Sequence, residues 1–202
     1  MKEKYKSVII LCGGRGTRLG SLGKKIPKTL VKIHGKPIIW YIIKFLEKNS
    51  FNHFILPVGY KGHMIKNYFK NNSKFKKVNL DIIKTGENSS IAKRIYKVKK
   101  FIKSKNFVLL NGDAVFNFNI KNTLKGHIEK KNFITFLGCE AQLNYGIVGV
   151  ANGKVNSFER ESNFNAVKSN RKKRSPKTNK FFGLILNISD NNLRTILFFH
   201  LI

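Results

Sequence analysis

Short apolar runs separated by polar, lysine-rich segments recur along the whole chain, and most of them have the length of a strand. They lie at residues 8–11, 54–58, 78–83, 107–110, 133–137, 147–150 and 182–188. Runs of this length that are bounded by turn-forming residues are typical of strands buried on both faces. The pattern therefore predicts a sheet in the core of the protein.

Between the early strands, apolar residues recur at the spacing of a helix. Pro37 can begin a helix that ends at Asn49 and Ser50, and two further helices are predicted at 63–70 and 91–102. Strands that alternate with helices favour an α/β fold with a mostly parallel sheet that is covered on both faces. In such a sheet we expect the ligand at the carboxyl ends of the strands.

Length and composition bound the class of protein. The chain has 202 residues, of which 42% are hydrophobic, and this suits a single domain with a sizeable core. No run approaches the roughly 18 to 20 apolar residues of a membrane span, and no secretory signal precedes the first strand. Cys12 and Cys139 are expected to be reduced and buried, which favours a cytoplasmic protein. The histidines lack metal-ligand spacing and are expected at the surface or in turns.

The charge balance is extreme, with 40 Lys and Arg against 10 Asp and Glu and a formal net charge of +30. Such a balance is typical of nucleic-acid-binding proteins. Here, however, the lysines are scattered along the chain, and this favours solvated faces over a specific nucleic-acid site. The only dense basic run, 168–180, is predicted to be a flexible loop. In either case the charge attracts anionic substrates such as nucleoside triphosphates.

The main candidate for chemistry is the segment Leu-Cys-Gly-Gly-Arg-Gly-Thr-Arg-Leu at 11–19, which directly follows the first predicted strand. Glycines let a ligand approach the backbone, and successive N–H groups in such a loop form a cradle for anions. The dinucleotide-binding pattern is excluded because Leu19 stands where its third glycine belongs, and the P-loop pattern is not matched either. Since the arginines and the pair Pro27-Lys28 add positive charge, we expect a loop that holds the phosphates of a nucleotide.

A second candidate is Asn111-Gly112-Asp113, which follows the predicted strand 107–110. An aspartate at the end of a buried strand must be paired or bind a cation. Magnesium commonly takes one or two carboxylates together with substrate phosphates. By itself the pattern fits a turn aspartate equally well, but together with the glycine loop it favours Asp113 as a magnesium ligand.

Taken together, the glycine loop, the following Pro-Lys and the later Gly-Asp resemble the sugar-1-phosphate nucleotidylyltransferases. The resemblance extends over 7–188 and includes the segment 35–38. Within the family, the bacterial glucose-1-phosphate cytidylyltransferases look closest, through the Gly-Tyr-Lys-Gly at 59–62 and the stretch 85–89. The resemblance implies a Rossmann-like, mostly parallel sheet flanked by helices, of the nucleotide-diphospho-sugar transferase type.

The resemblance also implies a reaction. An oxygen of a sugar-1-phosphate attacks the α-phosphorus of a nucleoside triphosphate, pyrophosphate leaves, and a nucleotide-sugar for polysaccharide biosynthesis forms with the help of Mg²⁺. CTP and glucose-1-phosphate are the favoured substrates, and GTP with a heptose- or mannose-1-phosphate is next. Neither a membrane nor a nucleic acid is an expected partner, and self-association into a homo-oligomer is left open.

Each residue that matches the family pattern takes an expected role from the resemblance. Those that match the nucleotide site are Leu11, Gly13, Gly14, Gly16, Thr17, Ser89, Arg94 and Gly112. Those that match the sugar-phosphate site are Gly146, Glu159 and Arg160. Arg18 and Lys28 match the catalytic cations that contact the phosphates, and Asp113 matches the magnesium ligand.

Two further hypotheses stay open beside this one. The family's second magnesium-binding aspartate lies in a C-terminal segment that the chain is expected to lack, because the only later aspartate, Asp190, has different surroundings. A truncated or degenerate homologue that binds nucleotide without catalysis is therefore the second hypothesis. The apolar ending 193–202 is either a helix that covers the core or the remnant of a truncated reading frame. A basic nucleic-acid-binding protein is the third hypothesis.

Overall fold

The computed structural model describes residues 6–75, 78–137, 141–142, 147–159, 163–164 and 194–198. The chain divides into two compact units, one formed by Met1–Phe136 with Gly183–Ile202 and the other by Leu137–Phe182. The basic run 168–180 and the predicted strand 182–188 lie outside the described residues. Among the described residues, no helix combines the length and the apolar character that a membrane crossing needs.

Strands and helices alternate in the first unit, as the sequence predicts. The strands within the described residues are β1 (Ser7–Leu11), β2 (Lys32–Ile33), β3 (Lys36–Pro37), β4 (His53–Val58), β5 (Asn79–Lys84), β6 (Asn106–Asn111), β7 (Ile134–Leu137), β8 (Ala141–Gln142), β9 (Ile147–Ala151), β10 (Lys154–Glu159), β11 (Asn163–Phe164) and β12 (Arg194–Phe198). The helices are α1 (Ser21–Lys25), α2 (Ile38–Lys48), α3 (Gly62–Lys70), α4 (Ile91–Val98) and α5 (Ile120–Glu129). Short 3-10 turns lie at Thr17–Leu19, Lys28–Leu30, Ser73–Phe75 and Lys99–Phe101.

The central sheet has the strand order β5-β4-β1-β6-β12-β7. The pairs β5–β4, β4–β1, β1–β6 and β6–β12 are all parallel. From β1 the chain moves outward to β4 and β5, and it then returns to the other side of β1 to form β6. The strand order therefore reverses between β1 and β6, and at such a point an open α/β sheet leaves a crevice outside the carboxyl ends of its strands.

The strands β1, β4 and β6 are buried on both faces of the sheet, which explains their continuous apolar runs. On one face, side chains of β1, β4 and β6 pack against Ile95 and Val98 of α4. Residues of the same strands that alternate with them are buried as well, and they are Val8, Ile10, Phe54, Leu56, Val108 and Leu110. Because successive strand residues point to opposite faces, burial of both sets requires cover on both sides of the sheet. The Rossmann-like α/β fold expected from the sequence is confirmed.

Several element boundaries follow the sequence predictions closely. The helix α2 begins directly after Pro37, and its C-cap is Asn49. The third predicted helix is shorter than expected, because α4 ends at Val98 and the chain tightens into the 3-10 turn Lys99–Phe101. Of the two alternatives left open for 193–202, the helix does not describe Arg194–Phe198, which forms β12 and pairs with β6. The apolar character of the segment was identified correctly, but its partner strand lies about 90 residues earlier in the chain.

The second unit contains an antiparallel hairpin that the sequence only half predicts. The strands β9 and β10 pair directly across Asn152 and Gly153, whose φ angles are 53° and 73°. Two consecutive residues with positive φ form the tight turn that suits a two-residue hairpin. The prediction included β9 but not β10, because polar residues interrupt the apolar ones in Lys154–Glu159. A second antiparallel pair joins β8 and β11.

Candidate functional site

The carboxyl ends of β1 and β6 lie side by side, because Leu11 is paired with Asn111 in the register of these strands. The loop after β1, the turn after β6 and the start of α4 line a cleft of about 620 Å³. The cleft lies where the strand order reverses. The predicted nucleotide, phosphate and metal residues that line it are Leu11, Gly13, Gly14, Gly16, Thr17, Lys28, Ser89, Arg94 and Asp113. Gly112 lies beside them, and its N–H donates to Leu11 O at 3.0 Å.

The glycine loop offers a row of free hydrogen-bond donors. The backbone N–H groups from Gly13 to Thr17 donate to no acceptor within the described residues. Regular pairing stops at Cys12, whose N–H donates to Pro57 O, and it resumes at Leu19, whose N–H donates to Gly16 O at 3.0 Å. Gly16 has a φ of 64°, a left-handed conformation that a residue with a side chain rarely adopts. Unpaired N–H groups in the lining of a cleft can bind the oxygens of a phosphate.

Lys28 and Asp113 face each other across the same cleft. The Nζ of Lys28 lies 2.7 Å from Oδ2 of Asp113, and both side chains are 34% exposed. Lys28 begins the short turn that follows Pro27, whereas Asp113 follows β6. A phosphate could replace the carboxylate as the partner of Lys28, and a cation could replace the ammonium as the partner of Asp113.

Cys12 lies at the base of the cleft but is not a nucleophile. Its thiol is free and buried, as the sequence predicts. Burial raises the pKa of Cys12, and the nearby carboxylate of Asp113 raises it further. The thiol therefore stays protonated at neutral pH, and the reactive form of a cysteine, the thiolate, is absent. Cys139 lies outside the described residues.

Arg94 and Ser89 lie in the wall of the cleft, and their polar groups are bound to the protein itself. Arg94 donates from Nη1 to Thr85 Oγ1 at 2.7 Å, and from Nη2 to Gly13 O and Glu87 O, each at 3.0 Å. Ser89 Oγ donates to Thr85 O at 2.6 Å. Burial lowers the pKa of Arg94, but a guanidinium stays charged in proteins at neutral pH.

Residues that the sequence predictions did not include also line the cleft. Arg15 in the glycine loop donates to Asn88 Oδ1 at 2.9 Å and lies 3.7 Å from Glu87 Oε2. Its guanidinium carbon lies 5.8 Å from the centre of the Tyr60 ring. These contacts tie the loop after β1 to the turn after β5. The sequence offered one signal for them, since Glu87 and Asn88 lie within the stretch 85–89 that resembles the cytidylyltransferases.

Comparison with known proteins shows the family of the chain. A family model described as "Nucleotidyl transferase" matches residues 7–161, which is more than half of the chain. The chain belongs to the nucleotidyl transferase family. The family match includes the glycine loop, Lys28, Arg94 and Asp113.

Relatives of this nucleotidyl transferase include enzymes named for glucose-1-phosphate and for a heptose 1-phosphate. A probable glucose-1-phosphate cytidylyltransferase of Bacillus subtilis is 32% identical over 178 residues, which cover 79% of this chain and 70% of the relative. A D-glycero-alpha-D-manno-heptose 1-phosphate guanylyltransferase of Campylobacter jejuni is 40% identical over 112 residues, which cover 55% of this chain and 49% of the relative. The crystal structure of HddC from Yersinia pseudotuberculosis, complexed with GMP-PN, is 27% identical. It superposes with a TM-score of 0.55 and covers 78% of this chain and 71% of HddC.

The predicted sugar-phosphate residues of this nucleotidyl transferase stay a prediction. Gly146 and Arg160 lie outside the described residues, and Glu159 ends β10 in the second unit. Arg18 lies in the 3-10 turn Thr17–Leu19, directly after the glycine loop. Asp190 also lies outside the described residues.

The prediction that histidines lie at the surface or in turns is wrong for two of them. His53 and His127 are buried, whereas His34 and His63 are exposed. His53 lies between Ser7 Oγ and Asp81 Oδ2, at 2.9 Å from each. This trio resembles a hydrolytic triad, but Ser7 is fully buried and lies at the amino end of β1, whereas the cleft lies at the carboxyl end of that strand. We conclude that His53 joins three neighbouring strands.

Proposed function

We propose that this protein transfers a nucleotidyl group from a nucleoside triphosphate to a sugar-1-phosphate and releases pyrophosphate. The observation that carries the proposal is the position of the glycine loop with its free N–H groups. It lies at the reversal point of the sheet, beside the Lys28–Asp113 pair. Donors for phosphate oxygens, the ammonium of Lys28 and the carboxylate of Asp113 thus lie together in one cleft.

The reaction exchanges one phosphoanhydride bond for another. A phosphate oxygen of the sugar-1-phosphate forms a bond to the α-phosphorus, and the bond from that phosphorus to the oxygen bridging the β-phosphorus breaks. Pyrophosphate leaves with the electron pair of the broken bond. The attacking oxygen is already ionised at neutral pH, so no general base is required. The chain therefore contributes by placing the two phosphates and stabilising their charge.

The residues of the cleft fit a magnesium ion that arrives with its nucleotide. No group of three or more His, Cys, Asp or Glu side chains within the described residues could hold a metal alone. Asp113 supplies one carboxylate, and Mg²⁺ usually combines one or two carboxylates with substrate phosphates. When bound, the ion would neutralise the negative charge that develops on the phosphates. Asp113 would hold it, and Lys28, released from the ion pair, would bind a phosphate oxygen.

CTP and glucose-1-phosphate are the substrates that we favour, because two cytidylyltransferases that act on glucose-1-phosphate match most of this chain at 32% and 30% identity. GTP with a heptose-1-phosphate or mannose-1-phosphate is the second candidate. The shorter but higher match to the heptose-1-phosphate guanylyltransferase supports it. A nucleotide-sugar product would serve as the sugar donor for glycosyl transfer in polysaccharide biosynthesis. The use of a nucleoside triphosphate supports a cytoplasmic location.

The test is pyrophosphate release. Purified protein is incubated with Mg²⁺, each nucleoside triphosphate in turn and a panel of sugar-1-phosphates. We expect release with one triphosphate and one sugar phosphate well above all other pairs, and loss of release when Mg²⁺ is chelated. Absence of release with every pair would contradict the proposal. Triphosphate binding that persists in that case would favour a homologue without turnover, and salt-sensitive binding to DNA or RNA without triphosphate binding would favour the nucleic-acid hypothesis.

A further inference from the structure

The guanidinium of Arg94 packs against the glycine loop, and we propose that it is a positioning residue of the phosphate site. It orients the peptide between Gly13 and Gly14 so that the N–H of Gly14 faces a phosphate in the cleft. This inference rests on the proposed function, since it takes the loop to be a triphosphate site. It differs from the role expected from the sequence, in which Arg94 contacts the nucleotide directly.

The hydrogen bonds of Arg94 join both walls of the cleft. Thr85 Oγ1 donates its own proton to Val58 O at 2.9 Å, so toward Arg94 it acts as an acceptor. The other two acceptors, Gly13 O and Glu87 O, belong to the loops after β1 and β5. All three are neutral oxygens, and only 5% of Arg94 is exposed. Only the planar fork of a guanidinium presents several donors in such a fixed arrangement.

Two glycines form the slot that holds the guanidinium. A Cβ atom at Gly13 would collide with Nη1 and Cζ of Arg94. A Cβ atom at Gly59 would lie 2.6 Å from Nη1 and 2.9 Å from both Nη2 and Gly13 O. Gly59 is not among the glycines with positive φ. A side chain at this position would therefore be excluded by lack of space and not by the backbone conformation. The guanidinium of Arg94 therefore lies against both Gly13 in the loop after β1 and Gly59 in the loop after β4, and it sets the spacing between these two loops.

The planar peptide bond links this slot to the phosphate site. In a trans peptide, the C=O and the N–H of the same unit point in opposite directions, and the described residues contain no cis peptide bond. The C=O of Gly13 points toward Arg94, because it accepts a hydrogen bond from Nη2. The N–H of Gly14 therefore points away from Arg94, and no described group accepts it. Gly14 lines the cleft and is exposed.

The test is a titration with inorganic tripolyphosphate, followed by the amide NMR signal of Gly14 and the carbonyl signal of Gly13. The variants are Arg94→Met, Arg94→Lys, Gly59→Ala and, as the control, Lys93→Met. The control removes one positive charge from an exposed neighbouring position on α4. In the wild-type protein we expect the Gly14 amide to shift on titration. In Arg94→Met and Gly59→Ala we expect the Kd for tripolyphosphate to rise by about tenfold or more. A change of this size corresponds to the loss of a charge-assisted hydrogen bond.

The pattern across the variants separates positioning from charge. Arg94→Lys should bind nearly as weakly as Arg94→Met, because one ammonium cannot bridge the three acceptors, and Lys93→Met should stay within about twofold of wild type. Without ligand, the Gly13 carbonyl signal should move in Arg94→Met and in Gly59→Ala. Full binding by Arg94→Lys would overturn the inference, because charge alone would then suffice, and so would wild-type binding by Gly59→Ala. If the wild-type Gly14 amide did not respond at all, the phosphate site of the proposed function would be lost as well.

Discussion

At the scale of single residues, the ion pair between Lys28 and Asp113 is the most informative contact of the protein. Two groups that we expect to bind a phosphate and a metal ion instead bind each other at 2.7 Å. The pair keeps an uncompensated cation and an uncompensated carboxylate out of the same cleft before substrates arrive. In the proposed function, a nucleotide that carries Mg²⁺ would satisfy both groups at once, because its phosphates would bind the ammonium and its metal would bind the carboxylate.

If Lys28 and Asp113 exchange each other for the phosphates and the metal, Asp113→Asn should reduce turnover without weakening metal-free binding of the triphosphate. Turnover should fall by about 100-fold or more, because a bound metal contributes several kcal/mol of transition-state stabilisation. Binding of the triphosphate in EDTA should be unchanged or tighter, because Lys28 is released and one negative charge is lost. The free energy of unfolding should change by less than about 1 kcal/mol, as for other partly exposed ion pairs.

The measurements are pyrophosphate release, calorimetric binding of the triphosphate in EDTA and urea unfolding. The control is Glu129→Gln, which removes one exposed carboxylate on α5 and should leave turnover and binding unchanged. Substantial turnover by Asp113→Asn would exclude a metal-binding role for Asp113. Weaker metal-free binding would exclude the exchange of partners.

At the scale of elements, the end of α1 is bound by the lysine that precedes α3. The Nζ of Lys61 donates to Lys24 O and, at 2.9 Å, to Lys25 O. These carbonyls belong to the last turn of α1, whose C=O groups find no partner within a helix, and a cation is favourable there. Lys61 lies in the Gly-Tyr-Lys-Gly segment and precedes α3. The segment noted for its resemblance to the cytidylyltransferases therefore supports the helix that follows the glycine loop.

Lys61→Met should loosen α1 without unfolding the protein. The N–H of Ile26, the C-cap residue of α1, donates to Leu22 O at 3.0 Å. The loss of the Lys61 hydrogen bonds, about 1 kcal/mol, should speed amide hydrogen exchange of Ile26 by about fivefold. Lys66→Met is the matched control, because Lys66 lies on the exposed side of α3, and it should leave that exchange unchanged. Exchange that is equally fast in both variants, or unchanged in Lys61→Met, would show that Lys61 does not stabilise α1.

At the scale of the whole molecule, the protein carries a net charge of +30. In the proposed function its cleft binds an anion. A field of this size raises the local concentration of a triphosphate and accelerates its association. Salt screens such a field, since the Debye length falls to about 10 Å at 0.1 M. Direct contacts inside the cleft are screened much less.

The KM for the triphosphate should therefore rise with ionic strength by several-fold between about 0.025 and 0.25 M KCl, whereas kcat should change little. The measurement is a set of steady-state pyrophosphate assays in KCl, with sucrose at equal osmolarity as the control. A KM that does not depend on KCl would show that the net charge plays no part in substrate capture. A loss of kcat instead of KM would place the salt effect on the chemical step.

The local sequence by itself determined the central strands β1, β4 and β6, the glycine loop and the chemical class that we expect for the site. Short apolar runs bounded by turn residues predict these buried strands, and the glycine loop and Asp113 are identified because each lies just after such a run. Pro37 and Asn49 likewise mark the ends of α2 from their immediate neighbours. These features depend on backbone conformation and burial within a few residues, so a pattern in the chain is enough to reveal them.

Only the tertiary structure decided which distant residues meet. The Arg94 guanidinium binds Gly13 O across 81 positions of the chain, and the apolar segment at 194–198 joins β6 as a strand rather than covering the core as a helix. His53 is buried because Ser7 and Asp81 satisfy its ring nitrogens from neighbouring strands. Hydrogen-bond partners and strand neighbours depend on how the elements are ordered in space. The spatial order of the elements cannot be read from the local pattern of residue types along the chain.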